Sequence, residues 1–178
     1  MNGIASLLDE AATTRVEHLW RELEVHCDLV GVKATPFPHF SWQVTEAYHL
    51  SRLESVLHSL ALQARPFSIH TAGLGLFTGE TPVVYISIVK DETLMRLHTL
   101  LWEQLHGIAI NPSQHYSPGE WVPHITLAYN DVNLANIDCA IKYLTFQSFD
   151  WEIQIDNLIL VAQVDDQPTE TVRYRFGH

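Results

Sequence analysis

Two short segments of the sequence share one pattern, in which proline and histidine precede an apolar residue and then a hydroxyl residue. The first is Pro38-His39-Phe40-Ser41-Trp42, and the second, 85 residues further along, is Pro123-His124-Ile125-Thr126-Leu127. The spacing His-x-Ser/Thr is weak by itself, because four of the eleven histidines show it. The shared proline and the apolar alternation distinguish His39 and His124, which we take as the candidate catalytic pair.

Two imidazoles and two hydroxyls suit acid–base cleavage of a phosphodiester. Near neutral pH one histidine can be neutral while the other is protonated. One could then take a proton from water or an alcohol while the other protonates the leaving oxygen. Ser41 and Thr126 could donate hydrogen bonds to the non-bridging phosphate oxygens. This chemistry needs no metal, and we expect neither a metal site nor a cofactor.

Both segments are predicted to be strands, so alternate side chains point to opposite faces. His39, Ser41 and Gln43 should share one face, and His124, Thr126 and Ala128 should share a face of the second strand. The residues expected on the opposite, core-packing faces are Phe40, Trp42, Val44, Ile125, Leu127 and Tyr129. Two such strands related by pseudo-symmetry would bring both histidines and both hydroxyls into one groove.

The wider pattern predicts the element order βαβαββαβαββ. Helical spacing of apolar residues occurs at about 9–27, 49–64, 92–106 and 133–146, and β-rich runs occur at 3–8, 37–44, 67–77, 82–90, 121–129, 151–163 and 171–176. Helices and strands do not alternate strictly, which favours an α+β fold with antiparallel sheets. No Gly/Ser linker marks a domain boundary.

The composition restricts the classes of partner that the protein is expected to bind. The chain of 178 residues has 21 Asp and Glu against 10 Lys and Arg, a net charge of −11. An acidic surface binds duplex nucleic acid and anionic membranes poorly, although a pocket of neutral and protonatable donors could still hold one phosphate. No apolar run approaches the ~18 residues of a membrane span, and no secretion signal is visible. Cys27 and Cys139 lack metal-type spacing and are expected to be reduced in the cytoplasm.

The paired motifs resemble those of the 2H phosphoesterase superfamily, in particular bacterial 2′-5′ RNA ligase-like proteins and RNA 2′,3′-cyclic phosphodiesterases. Pro123 and the segment His124–Ala128 carry the strongest similarity. The resemblance implies a bilobal, pseudo-symmetric α+β fold in which two antiparallel sheets form a central cleft with helices outside. It implies one domain over residues 1–178, made of two interleaved lobes with one motif each.

The same resemblance implies a function in RNA processing. The expected reaction is hydrolysis of a 2′,3′-cyclic phosphate of a nucleotide or short RNA end to a 2′-phosphate, with reverse 2′-5′ ligation in some members. His39 and His124 would be the acid/base pair, and Ser41 and Thr126 would orient the phosphate. Ser41 stands where Thr is commoner, and flanking basic residues typical of RNA-active members are not evident. A monomer is expected.

Other residues have more ordinary interpretations. Tyr85 is a candidate substrate-stacking aromatic, whereas Trp42 and Tyr129 are expected in the core. The histidines expected on solvated or boundary faces of helices are His18, His58, His98 and His106. Two alternatives to the enzyme stay open: a module that binds phosphate esters without chemistry, and a metal-dependent hydrolase.

Overall fold

The computed structural model describes residues 2–164 and 167–177 of the chain. Within these ranges the strands are β1 (Asn2–Leu7), β2 (His39–Thr45), β3 (Ala47–Tyr48), β4 (Phe67–Phe77), β5 (Val83–Ile88), β6 (Ala109–Ile110), β7 (His124–Ala128), β8 (Glu152–Ile155), β9 (Asn157–Val164) and β10 (Gln167–Arg175). The helices are α1 (Glu10–Cys27), α2 (Leu50–Gln63), α3 (Glu92–Gln104) and α4 (Ile137–Leu144), with 3₁₀ turns at Gly31–Ala34 and Gln114–Tyr116. No helix among these residues is long and apolar enough to cross a membrane.

Two four-stranded antiparallel sheets form the framework. The first has the strand order β10-β9-β1-β2 and the second the order β7-β5-β4-β8, while β3 and β6 form a short ribbon of their own. The two strands that carry the His-x-Ser/Thr motifs, β2 and β7, each lie at an edge of their sheet and approach each other. The predicted α+β fold, with two antiparallel sheets around a cleft, is confirmed.

Two helices, α1 and α3, each start from one sheet and pack against the motif strand of the other. Helix α1 connects β1 to β2 in the first sheet but packs against β7 and α4, whereas α3 follows β5 of the second sheet and packs against β2. Asp9 and Asp91 cap α1 and α3 by accepting hydrogen bonds from backbone N–H groups of the first turn. The motif strand of each sheet is therefore supported by a helix that starts from the other sheet.

The predicted strand 151–163 is two strands in the structure. β8 pairs with β4 in the second sheet, and β9 pairs with β1 and β10 in the first. Between them the Asn157 side chain accepts a hydrogen bond from the Leu7 N–H (2.9 Å) and donates one to the Leu7 carbonyl (3.1 Å). The chain thus changes sheets at this point, where Asp156 and Asn157 separate the alternating residues of β8 from the continuous apolar run 158–162 of β9.

The cysteines also differ from the expectation. Cys27, at the end of α1, and Cys139, in α4, form a disulfide, with their Cα atoms 5.6 Å apart. They are separated by 112 residues in sequence, and they meet because α1 packs against α4. The expectation of two reduced cysteines is therefore wrong for this structure, since sequence spacing does not reveal helices that pack together.

Candidate active site

A cleft of about 790 Å³ lies where the edges of the two sheets approach each other. His39 and Ser41 line it from β2, and His124 and Thr126 line it from β7. The alternation of each strand buries the intervening Phe40 and Ile125 in the core. The structure thus brings the four motif side chains together in one cleft.

The two imidazoles are anchored in the same way. The Nδ1 atom of His39 lies 2.9 Å from the Phe37 carbonyl oxygen, and that of His124 lies 2.7 Å from the Val122 carbonyl oxygen. A carbonyl can only accept, so each Nδ1 must carry the proton and donate it. Each neutral ring therefore has a free lone pair on Nε2. The proline of each motif stands between the histidine and its carbonyl partner, which gives this shared residue a structural explanation.

Burial lowers the pKa of both histidines below the ordinary value of 6.5. The hydrogen bonds to the Phe37 and Val122 carbonyls oppose this shift, and the charge of His39 lowers the pKa of His124 further. The two rings are thus close enough for the charge of one to disfavour the charge of the other. In the free protein at pH 7 both rings are mainly neutral.

Two aromatic rings, those of Phe77 and Tyr85, pack against the His124 ring. The Phe77 ring meets the His124 ring edge-on at 4.9 Å between centroids, and the Tyr85 ring lies 5.1 Å from it. Phe77 lines the cleft, whereas Tyr85 is only 7% exposed and packs against Phe77 at 4.3 Å. Tyr85 therefore contacts His124, and its ring does not form part of the cleft surface.

A β-bulge changes the expected faces in the first motif strand. Ile4 pairs with Gln43 and Ala5 pairs with Ser41, so Trp42 has no partner on β1. Beyond this point the alternation reverses: Gln43 is buried at 2% exposure, and Val44 lines the cleft. The prediction that Gln43 shares the face of His39 is thus wrong, because strict alternation does not hold across a bulge.

The core prediction holds for Trp42, which is fully buried, but not for Tyr129. Tyr129 is 39% exposed and lines the cleft. It follows the last residue of β7, where the chain leaves the strand at Asn130 with φ of 73°. The alternation of the strand therefore no longer determines its direction.

Tyr116 is a cleft residue that the sequence reasoning missed. Burial raises its pKa, and an interaction with the Ser41 hydroxyl opposes the increase. The neighbouring His115 also lines the cleft. Their loop is attached to the first motif strand because the Ser113 N–H donates to the Val44 carbonyl (2.9 Å). This attachment is a long-range contact that no local spacing indicates, although His115-Tyr116-Ser117 itself matches the His-x-Ser pattern.

The backbone of each motif strand accepts a hydrogen bond from a tryptophan. The Trp20 indole donates to the Thr126 carbonyl and the Trp121 indole donates to the Ser41 carbonyl, both at 3.0 Å. The His98 ring stacks on Trp121 with 3.7 Å between centroids. His98 is only 1% exposed, and burial lowers its pKa to about 4. The expectation of a solvated or boundary face is wrong for His98, because α3 packs this side of the helix against β2.

The cleft has little formal charge of its own. Among the lining residues that the structure describes there is no Lys or Arg, and Glu120 is the one carboxylate. In the same described ranges no three His, Cys, Asp or Glu side chains are arranged to hold a metal ion. The ionisable groups that face a ligand here are therefore mainly imidazoles and phenols.

Comparison with known proteins gives consistent results. Relatives from Bacillus cereus strain G9842 and Bacillus mycoides strain KBAB4, whose names describe them as phosphoesterases, are 26% and 27% identical over 132 residues, covering 72% of this chain and of theirs. The fold resembles TT0787 of Thermus thermophilus, with a TM-score of 0.66, 18% identity, and 99% and 97% coverage of the two chains. It also resembles Escherichia coli LigT complexed with 3′-AMP, with a TM-score of 0.60, 14% identity, and 99% and 98% coverage.

The family model for the 2′-5′ RNA ligase superfamily matches residues 8–167, a range that includes both motifs and most of the two sheets. The chain belongs to the 2′-5′ RNA ligase superfamily.

Proposed function

We propose that the protein is a metal-independent phosphodiesterase that hydrolyses 2′,3′-cyclic phosphates of nucleotides or short RNA ends to 2′-phosphates. The observation that carries the proposal is the pair of identically anchored histidines in one cleft, each with a free Nε2. Membership of the family and the names of the Bacillus relatives support phosphoesterase chemistry in general. The cyclic phosphate substrate is the more specific part of the proposal.

The proposed reaction uses each histidine once. The Nε2 of one neutral imidazole accepts a proton from water as the water oxygen bonds to phosphorus. The bond between phosphorus and O3′ breaks, and the protonated Nε2 of the other histidine donates its proton to O3′. The products are a 2′-phosphate and a 3′-hydroxyl, and one water is consumed. If a 5′-hydroxyl replaces the water, the same steps give a 2′-5′ phosphodiester.

The hydroxyls of Ser41 and Thr126 are proposed to donate hydrogen bonds to the two non-bridging oxygens of the phosphate. The anionic substrate would also raise the pKa of whichever histidine must be protonated, because a nearby negative charge favours the imidazolium. Burial therefore keeps the free site neutral, and the substrate itself would bring about the required charge. The proposed partners are a nucleotide or a short RNA end, and the structure of LigT with 3′-AMP shows that a related fold can bind a nucleotide.

The test is hydrolysis of nucleoside 2′,3′-cyclic monophosphates in EDTA, followed by ³¹P NMR to identify the 2′-phosphate product. His39→Ala and His124→Ala should each lower kcat/KM by about 10²-fold or more. His49→Ala is the matched control, because His49 has the same His-x-Ser spacing but does not line the cleft. Retained activity in both cleft variants, or activity lost in EDTA and restored by zinc, would overturn the proposal.

A second candidate function is binding of phosphate esters without chemistry. It is favoured by the lining of the cleft, which has no Lys or Arg among the described residues to stabilise additional charge in a transition state. Isothermal titration calorimetry with a 2′,3′-cyclic nucleotide distinguishes the two functions. Binding without turnover over days would favour the binding module, whereas product formation at catalytic rates would exclude it.

A further inference from the structure

We propose that Trp20 and Trp121 are positioning residues that hold the two motif strands at the separation the reaction needs. We call the pair of hydrogen bonds that they make, from Trp20 to Thr126 and from Trp121 to Ser41, the indole clasp. The inference rests on the proposed function, since it assigns these residues a role in that same cleft. Neither tryptophan belongs to a His-x-Ser/Thr motif.

Each bond ends on the backbone of a hydroxyl residue. The Trp121 Nε1–H donates to the Ser41 carbonyl and the Trp20 Nε1–H donates to the Thr126 carbonyl, both at 3.0 Å. β2 and β7 are edge strands, and an edge strand has one row of backbone groups without a strand partner. The indoles thus provide donors where a neighbouring strand would otherwise do so.

Both bonds connect elements that belong to different sheets. Trp20 lies on α1, which joins the strands of the first sheet, and it binds the motif strand of the second. Trp121 shortly precedes β7 in the second sheet, and it binds the motif strand of the first. Because one bond ties an element of the first sheet to β7 and the other ties an element of the second sheet to β2, together they fix β2 relative to β7.

The core holds the Trp121 donor in a defined direction. Its ring stacks on His98, with 3.7 Å between centroids and planes 6° apart, and also packs against Trp42, with 5.5 Å and 24°. His98 is in turn hydrogen-bonded through Nε2 to the Trp42 carbonyl at 3.2 Å. Trp20 and Trp121 are 6% and 1% exposed, so both side chains are largely shielded from water.

This separation matters because the phosphorus must meet both histidines at once. A misplacement of about 1 Å can cost about 10²-fold in rate when reacting groups have to be aligned. Without one indole N–H, a motif strand would lose a connection to the opposite sheet, and the hydroxyl on that strand would be held less firmly. We therefore expect weaker phosphate binding and slower turnover in protein that is still folded.

The test replaces Trp20 or Trp121 with β-(3-benzothienyl)alanine, which keeps the size and shape of the ring but has sulfur in place of the N–H. Each replacement should lower kcat/KM by about 10-fold or more and raise the calorimetric Kd for inorganic phosphate by at least about 3-fold. The matched control is the same replacement at Trp151, whose indole donates to the Ser148 carbonyl (2.8 Å) and does not line the cleft. It should leave both quantities within about 2-fold.

Two further outcomes make the test specific. A loss of folded protein would change the binding stoichiometry but not the Kd, so an unchanged Kd in both cleft variants overturns the clasp. In the doubly replaced protein, kcat/KM should fall by less than the product of the two single fold-losses, because either replacement alone already releases the strands. Independent effects would multiply.

If wild type hydrolyses no cyclic phosphate, the proposed function fails, and the phosphate Kd still decides the clasp. Wild type that binds no phosphate overturns the clasp as well.

Discussion

Gly75→Ala tests whether the packing of Tyr85 against His124 matters for the catalytic role proposed for His124. Gly75 lies directly across from Tyr85 in the β4–β5 pair. A Cβ atom at Gly75 would lie 2.2 Å from Cε2 and 2.3 Å from Cζ of Tyr85. Ordinary contact begins near 3.4 Å, so the ring would have to move by roughly 1 Å. The space that glycine leaves is filled by an aromatic ring that itself contacts His124.

The size of the effect follows from this displacement. Overpacking by one methyl group costs about 1–3 kcal/mol of stability. Because the Tyr85 ring lies 5.1 Å from the His124 ring, we expect the imidazole to move with it. For the catalytic role proposed for His124, a shift of about 1 Å predicts a fall in kcat of about 10²-fold. The fall should exceed what the lost stability alone would produce in protein that remains folded at the assay temperature.

The assay is steady-state hydrolysis of a nucleoside 2′,3′-cyclic phosphate, with the folded fraction measured by circular dichroism. Gly119→Ala is the control, because a Cβ atom there has nothing within 4 Å and the backbone needs no positive φ. Tyr85→Ala should reduce the additional cost of Gly75→Ala, since the clash is removed. Gly75→Ala protein that is folded and retains more than half of the wild-type kcat would refute the reasoning.

The site and its supporting contacts lead to four other predictions. Ser41→Ala and Thr126→Ala should each lower kcat/KM by about 10-fold, the value of one hydrogen bond to a charged oxygen, in steady-state assays. The pH profile of kcat/KM should be bell-shaped with its maximum below pH 6.5, because burial lowers the pKa of both motif histidines and leaves little imidazolium at higher pH. An optimum above pH 7 would contradict this. Replacing Cys27 and Cys139 with serine should lower the free energy of unfolding by about 3 kcal/mol in urea titrations, with activity unchanged. The pKa of His98 in the folded protein is about 4, so the unfolded state binds this proton more readily. The free energy of unfolding should therefore fall by about 3 kcal/mol as the pH falls from 6.5 to 4. The His98→Gln protein should lack this part of the acid dependence.

The sequence predicted those parts of the fold and site that depend on local pattern. Proline before histidine and the alternation around it indicated two matched strands, and both their histidines and hydroxyls line one cleft. The predicted boundaries of α1 and α3 were close to the observed ones, because the apolar spacing of each of these helices begins at a clear capping residue. Strand parity also predicted that Trp42 lies in the core.

The remaining features depend on contacts between distant residues. The bulge at Trp42 reverses the faces of Gln43 and Val44 and arises from pairing with β1, which the motif itself does not encode. Tyr116 reaches Ser41 through a loop attached to β2, and Trp20 reaches Thr126 from a helix that begins in the other sheet. Such contacts follow from the packing of the complete fold, so a single sequence provides no period or spacing from which to predict them.

The order of strands in the first sheet has a consequence for how the protein is made. β1, the first strand in the chain, has β2 on one side and β9 on the other, and β9 begins only at Asn157. During synthesis the first motif strand can therefore pair with β1, but their sheet lacks β9 until the residues from Asn157 onward have been added. Folding of domains with many such long-range pairings is slow. We expect a nascent chain that already contains both motifs to hold no functional cleft until β9 takes its place beside β1.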